Sequence, residues 1–284
     1  MKLDSPKKIV LGMSGGLDST IAAYLLQNAD YQVIGLTLNL FRCGDIRSAE
    51  ESARKLGIEH HNLGMTEAFQ KRIIEPFLRE YSLARTPNPC VVCNETVKFR
   101  AMADFADEIG AKCIATGHYA KIEDGLIKRG VDKIKDQAYF LYRLPKDILR
   151  RTIFPLSDMD KSEAYAIARE LGLSVAERKE STEICFFPRG ELREFLDKHG
   201  VRGVEGDFSD PEGNVIGRHQ GWTHYTLGQR RGIGVPSSEG RLYVVKIDAE
   251  NACITLGPRE MLMNRGFTTE NSIFHIDWPI GETR

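Results

Sequence analysis

The chain has 284 residues and a mass of 32.0 kDa, enough for one large domain or two ordinary ones. Its 39 Lys and Arg against 40 Asp and Glu leave a formal net charge of −1, which excludes a globally basic nucleic-acid binder but not a local basic face. No apolar run reaches the ~18 residues of a membrane span, and the polar stretch from Met1 to Lys8 lacks the apolar core of a secretory signal, so no membrane partner and a cytoplasmic setting are expected.

The first half alternates strand and helix patterns. Lys8 to Gly12 reads as a buried strand, followed by a Gly-rich turn and an apolar-periodic helix from about Asp18 to Gln27. Tyr31 to Leu38 predicts the next strand, Ser48 to Leu56 a helix stopped by Gly57, and Glu59 to Leu63 a short third strand. A long helix is expected from about Thr66 to Leu83, another from Thr96 to Ile109, and a fourth strand over Lys112 to Thr116. This alternation predicts the α/β class: a parallel sheet with helices on both faces. After about Phe154 come two short amphipathic helices, Lys161 to Leu171 and Gly190 to His199. Beyond Gly200 glycine becomes frequent and short strands such as Arg241 to Asp248 dominate. The expected organisation is a catalytic domain over residues 1–155, a helical connector over 156–200 and a small β-rich domain over 201–284.

The most informative turn is Ser14-Gly-Gly-Leu-Asp-Ser19, between the first strand and the first helix. Two glycines let backbone N–H groups turn toward an oxyanion, two serines add hydroxyl donors, and the helix N-terminus favours negative charge. The loop lacks the Gly-Lys-Ser/Thr ending of a Walker A motif. A tight turn with Asp18 as an ordinary helix-start residue is the plainer alternative.

Six cysteines are too few for a disulfide scaffold in a chain of this length. In Thr86-Pro-Asn-Pro-Cys90-Val-Val-Cys93-Asn94 two prolines predict a rigid turn, and Cys93 falls just before a predicted helix. That placement, with Lys98 and Arg100 nearby, predicts a lowered thiol pKa suited to a nucleophile. The CxxC spacing also lets both sulfurs reach one metal or each other. No second CxxC exists to complete a four-ligand zinc site, whereas three thiolates with an open position suit an iron–sulfur cluster. Cys185 is the candidate third sulfur, although its apolar neighbours Ile184, Phe186 and Phe187 also fit a buried strand cysteine. Cys113 and Cys253 read as core, and Cys43 has no assignment.

The loop S-G-G-x-D-S resembles the PP-loop of the ATP pyrophosphatases, which cleave ATP between the α- and β-phosphates. With it occur, in order, the cysteine segment, Ala115–Tyr119 (ATGHY), Lys135–Tyr142 (KDQAYFLY), Ser181–Phe186 (STEICF) and Tyr225–Arg230 (YTLGQR). Together, over nearly the whole chain, they are similar to the tRNA-uridine 2-sulfurtransferase family (MnmA, also called TrmU). The resemblance implies ATP-dependent thiolation of C2 of the wobble uridine (U34), with the tRNA anticodon arm as partner. It implies ATP contacts at Gly12, Met13, Ser14, Gly15, Gly16, Leu17, Asp18 and Ser19, with Leu38 beside adenine, Gly117 as a further contact and Asp18 helping to hold Mg²⁺. It implies tRNA contacts at Asn88, Pro89, Cys90, His118, Lys135, Asp136 and Gln137; a backbone-bonded loop histidine stays an alternative for His118. Cys93 and Cys185 take the places of the two catalytic cysteines: Cys185 receives a persulfide sulfur, uridine O2 is adenylated, sulfur attacks C2 as AMP leaves, and a Cys93–Cys185 disulfide remains for a reductant.

Three features depart from that pattern. Cys90 stands where the best-known members have Asp, so Cys90, Cys93 and Cys185 resemble the ligands of cluster-dependent tRNA thiolases. This predicts a [4Fe–4S] cluster that binds hydrosulfide, with the persulfide route as rival. The sulfur donor is accordingly sulfide or a persulfide carrier protein. Glu183 replaces a glycine two residues before Cys185 and would discourage a thiolate unless paired, for example with Arg178 or Lys179. Typical members continue into a further β-barrel, and this chain stops as it should begin, which predicts a short form.

Charge placement adds a local argument for RNA. Lys121 to Arg151 carries nine Lys and Arg against five Asp and Glu; Gly213 to Gly234 carries three Arg and no acid, interleaved with His219, Trp222, His224 and Tyr225. Phosphate contacts with aromatic stacking suit single-stranded loops; a solvated basic face is the alternative. Two other functions remain to be weighed: another PP-loop adenylating amidotransferase or ligase, and a non-catalytic, metal-stapled RNA-binding relative.

Overall fold

The computed structural model describes residues 7–41, 46–177, 184–188, 190–237 and 240–275. It divides into two compact units, one of Met1–Ile73, Cys90–Phe186 and Ile273–Arg284, the other of Ile74–Pro89 and Phe187–Ser272.

The first unit begins with β1 (Lys7–Gly12), α1 (Leu17–Asn28), β2 (Tyr31–Asn39), α2 (Ile46–Leu56) and β3 (Glu59–Gly64). The long predicted helix is α3 (Thr66–Phe69), a π turn over Gln70–Ile74 and α4 (Glu75–Ser82). The next helical run starts earlier than predicted, with α5 (Pro89–Cys93), passes through a second π turn (Asn94–Lys98) and ends as α6 (Phe99–Glu108). Then come β4 (Cys113–Thr116), an antiparallel hairpin of β5 (Ala120–Glu123) and β6 (Leu126–Arg129), α7 (Lys146–Leu149), β7 (Thr152–Ile153) and α8 (Lys161–Glu170). The hairpin and the two-residue β7 carry too little periodicity for sequence reading to register.

The main sheet runs β3-β2-β1-β4-β7 and every pairing in it is parallel. Strand β1 is central because its residues are apolar on both faces. Val10 enters a core with Leu36, Phe99, Met102 and Ile114, whereas Ile9 and Leu11 enter another with Ala22, Leu26, Val33 and Ala53. Period-two alternation thus places α6 on one face and α1 with α2 on the other. The chain leaves β1 toward β2 and β3, then returns to β4 on the opposite side. That reversal makes the carboxyl end of β1 a topological switch point, the place where such sheets bind ligands.

The second unit holds α9 (Leu192–Lys198), β8 (Gly206–Ser209), β9 (Val215–His219), β10 (Tyr243–Asp248) and β11 (Cys253–Gly257). Its sheet order is β10-β11-β8-β9, around a core of Phe208, Trp222, Ile233, Val244, Ile254 and Leu256. Helix α4 joins this unit, where Phe77 packs against Phe187 and Phe195. Among the described residues no helix is long and apolar enough to cross a membrane.

Candidate functional site

The loop after β1 is built from its own polar groups. Gly15 has φ +76°, a left-handed conformation that glycine adopts without a Cβ penalty. The Ser14 N–H donates to Ser19 Oγ at 3.2 Å, Ser19 Oγ donates to the Gly16 carbonyl at 3.1 Å, and Thr20 Oγ1 donates to that carbonyl at 2.9 Å. Ser48 on α2 fixes the loop from outside by donating to the Gly15 carbonyl at 2.8 Å. Gly16 is the extended residue before α1, so the helix N-terminus opens onto the loop with no side-chain cap. Anions are favoured at such an end.

The neighbouring predicted residues take distinct places. Met13 is buried in the core and Leu17 packs against α8, so these two support the loop with side chains turned inward. Leu38 lies half-buried one residue before the end of β2. Gly117 follows β4, and a Cβ there would stand 2.6 Å from the carbonyl carbon of Asp18 and 2.8 Å from Ser19 N. The backbone of α1 therefore demands glycine at 117. Asp18 accepts from Tyr119 Oη at 3.0 Å and from Lys161 Nζ at 2.5 Å, both on Oδ1. Lys161 lies 143 residues from Asp18 in the chain, and sequence reading gave it no role. Its only sequence signal is a cation on the first residue of a helix, where the dipole disfavours one.

The cysteine segment corrects an electrostatic expectation. Since the helical run starts at Pro89, Cys93 lies inside it and is buried, 7% exposed. Burial pushes its thiol up to about 11, against a downward pull from the Lys98 cation and N–H; Cys185 and Cys90 add a further upward push. Burial also raises Cys90, with Lys98 opposing and Cys185 reinforcing. Lys98 acts as predicted, but desolvation outweighs it. Arg100 is exposed and paired with Asp147 at 2.8 Å. The run is held by Asn94 Nδ2 donating to the Phe140 carbonyl at 2.9 Å and by Glu95 paired with Arg143 at 2.8 Å.

Cys185 is exposed, which corrects the buried-strand alternative, while its neighbour Phe186 packs edge-on against Phe69. Residues 178–183, including Arg178, Lys179 and Glu183, lie outside the described residues, as does Cys43. Cys113 and Cys253, read as core, are half-buried. Among the described residues no three His, Cys, Asp or Glu side chains form a group able to hold a metal.

His118 stacks on Phe99 at 6.0 Å and its Nδ1 lies 2.7 Å from Thr116 Oγ1. Burial, reinforced by Lys98, pushes its pKa down to about 3, so the ring is neutral at neutral pH. Of the Lys135–Gln137 segment, Asp136 accepts from Gly130 N at 3.3 Å, and Gln137 Oε1 accepts from Tyr119 N at 3.1 Å. The Lys135 N–H is held by Asp132 at 3.0 Å. Asn88 and Pro89 belong to the second unit and Cys90 to the first.

The basic stretches are less available than their composition implies. Lys121, Lys128, Arg129, Arg143 and Arg151 are each ion-paired with a carboxylate of the fold. In the second unit Trp222 and His219 are buried, and Tyr225 packs edge-on against Phe208. His224 bonds Asp197 at 3.3 Å. These rings build the core, which corrects their reading as a stacking face. Exposed rings occur instead at Tyr139 and Tyr142, 5.9 Å apart.

A parallel sheet, a glycine loop with S-G-G-x-D-S at its switch point and a cysteine-bearing helix beside the same sheet define a PP-loop type of α/β protein. The family description "tRNA methyl transferase HUP domain" matches residues 7–189, and "tRNA methyl transferase PRC-barrel domain" matches residues 193–258. The chain is 45% identical to the tRNA-specific 2-thiouridylase MnmA of Syntrophomonas wolfei, covering 91% of this chain and 77% of that protein. It is 43% identical to the MnmA of Pelotomaculum thermopropionicum (91% and 76%) and 40% identical to MnmA 1 of Caldanaerobacter subterraneus (94% and 79%). The chain belongs to the MnmA/TrmU family of tRNA-uridine sulfurtransferases, within the PP-loop superfamily.

Proposed function

We propose that the chain thiolates C2 of the wobble uridine (U34) of tRNA, consuming ATP through an adenylated uridine. The observation that carries this reading is one unit holding both a preformed oxyanion loop and Cys93 within electrostatic range of Cys185. A carbonyl oxygen is a poor leaving group until adenylation makes it part of AMP. Uridine O2 attacks the α-phosphorus, and the α–β bridging oxygen leaves with its electron pair on pyrophosphate. The terminal sulfur of a Cys185 persulfide then attacks C2, and AMP departs with the O2 electron pair. Cys93, as thiolate, attacks the Cys185 sulfur; the S–S electrons stay with the sulfur now on C2, and the resulting disulfide requires a thiol reductant. A buried Cys93 held as a thiol suits a group that acts last.

The Asp18 carboxylate beside the loop fits Mg²⁺, which takes one or two carboxylates together with phosphate oxygens and water. A [4Fe–4S] cluster on Cys90, Cys93 and Cys185 is the rival: the three thiols interact electrostatically with one another, while among the described residues no three His, Cys, Asp or Glu side chains form a single-ion site. In this reading the sulfur comes from a persulfide carrier, with cluster-bound sulfide as the rival source. An amidotransferase, a ligase or a methyl transfer would leave the cysteines without a role. The setting is the cytoplasm, and the anticodon arm must present U34 flipped out of its stack.

The test supplies unmodified tRNA, Mg-ATP and a persulfide donor, then measures nucleosides by mass spectrometry. The expected product is 2-thiouridine, and Cys93→Ala is expected to lower it at least ~10³-fold with ATP affinity kept within about twofold. Undiminished thiouridine from Cys93→Ala would sink the reading. Stoichiometric iron and a broad absorbance near ~400 nm after anaerobic purification would replace the persulfide by the cluster.

A further inference from the structure

Strand β1 ends at Gly12, and the peptide that carries the chain out of the sheet joins Met13 to Ser14. The Met13 N–H still donates to the Leu36 carbonyl at 2.9 Å, while the Met13 carbonyl lies beyond the last paired residue of β1 and β2. A side chain takes that carbonyl instead: Thr37 Oγ1 donates to it at 2.8 Å. His60 Nε2, on β3, lies 2.9 Å from the same Thr37 oxygen. A hydroxyl has one proton, and that of Thr37 is committed to Met13, so His60 Nε2 carries the proton of the second bond. Thr37 is 3% exposed, on a face of the sheet that is otherwise apolar, with Ile9, Leu11, Val33, Ala49 and Ala53. Room for the imidazole comes from Gly35, where a Cβ would stand 3.0 Å from His60 Cδ2 and 2.7 Å from Met13 Sδ. An apolar pair of the same size would fill this layer with no polar atoms to satisfy, so cohesion of the sheet does not require the hydroxyl or the ring nitrogen.

We propose that Thr37 and His60 are positioning residues for the phosphate loop, acting through the Met13–Ser14 peptide. The inference rests on the loop being an ATP site, as proposed above. In a trans peptide the C=O and N–H point opposite ways, so fixing one fixes the other. With the Met13 carbonyl held by Thr37, the Ser14 N–H is turned into the loop, where it meets Ser19 Oγ at 3.2 Å. Ser48 acts in the same way two peptides on: it holds the Gly15 carbonyl at 2.8 Å, and the Gly16 N–H turns toward Ser14 Oγ at 3.4 Å. Release of the Met13 carbonyl would let that peptide rotate, aiming a carbonyl oxygen at the phosphates and removing a donor. His60, by donating to Thr37 Oγ1, keeps the hydroxyl proton directed at Met13. The pair touches no ligand, and adenosine without phosphates makes no demand on it.

The test compares equilibrium binding of Mg-ATP and of adenosine to the full chain and to Thr37→Val, Thr37→Ser, His60→Leu and His60→Gln. Thr37→Val is expected to weaken Mg-ATP by roughly tenfold and adenosine by less than about twofold, and Thr37→Ser, which restores the donor, to recover Mg-ATP to within about threefold. His60→Leu should weaken Mg-ATP by about three- to fivefold, with His60→Gln, which keeps an N–H, recovering part of the loss. Equal weakening of both ligands, as a purely structural pair would give, overturns the inference. So does Mg-ATP binding that Thr37→Val leaves unchanged, or that Thr37→Ser does not recover. A wild-type chain that binds neither ligand removes the ATP site itself, and the inference with it. Should the substituted chains not fold, nitrogen NMR of the imidazoles in the wild type decides instead. His60 must carry its proton on Nε2 both with and without Mg-ATP; a neutral ring protonated on Nδ1 overturns the inference.

Discussion

The phosphate loop and the cysteine helix belong to the same unit but are prepared in opposite ways. The loop is organised before any ligand arrives: serine hydroxyls, a left-handed Gly15 and the α1 N-terminus already hold its shape. The cysteine helix is held back, with Cys93 buried and its thiol raised to about 11 by desolvation that Lys98 only partly offsets. Binding profits from preorganisation because no ordering cost remains at the moment of contact. A reactive thiol profits from the reverse, since a standing thiolate would be open to oxidation.

Replacing Gly117 should break the loop side of this comparison and have the largest effect. The Cβ of Gly117→Ala would enter the backbone of Asp18 and Ser19, so α1 must shift. We expect a loss of about 2–3 kcal/mol in chemical unfolding and ATP affinity reduced by roughly thirtyfold. Unchanged stability and ATP binding would show that the approach of β4 to α1 does not shape the loop.

Lys98→Met sharpens the cysteine side. Removing the cation that pulls Cys93 down raises its pKa further, so less thiolate forms at any pH below it. The Cys93-dependent step should slow by roughly three- to tenfold near pH 7.5, and its pH profile should move to higher pH. In the unsubstituted chain that step should speed up with pH through the range below the raised pKa. Flat profiles in both proteins would remove Lys98 from the chemistry.

The smallest effect at neutral pH is expected at His118, whose pKa is depressed to about 3. The unfolded chain takes up a proton near pH 6.5 that the folded chain refuses. His118 therefore contributes no penalty above about pH 6.5, and folding stability falls as pH drops from there toward 3, by about 1.4 kcal/mol per pH unit. In His118→Gln the slope over that range should be shallower by one proton, read from urea unfolding at pH 7, 6 and 5. An identical slope would mean that the ring is not kept neutral.

Residues 219–225 and Lys161 show opposite limits of sequence reading. His219, Trp222 and Tyr225 stand among arginines, a composition shared by RNA-stacking surfaces and small β cores, and the fold chose the core. Lys161 is ordinary by composition, and only its 2.5 Å contact with Asp18 marks it. Helix Glu75–Ser82 is similar: its periodicity was legible, but not that it would pack with the second unit.

The sequence by itself determined the alternating strands and helices, the parallel class of the sheet and the position of the phosphate loop. All three are written in patterns shorter than about twenty residues: period two, period 3.6 and a glycine turn between them. Only the tertiary structure decided the need for glycine at 117, the protonation of Cys93 and the partnership of Lys161 with Asp18. Each depends on desolvation or on atoms in close approach, and those quantities exist only once distant segments have packed.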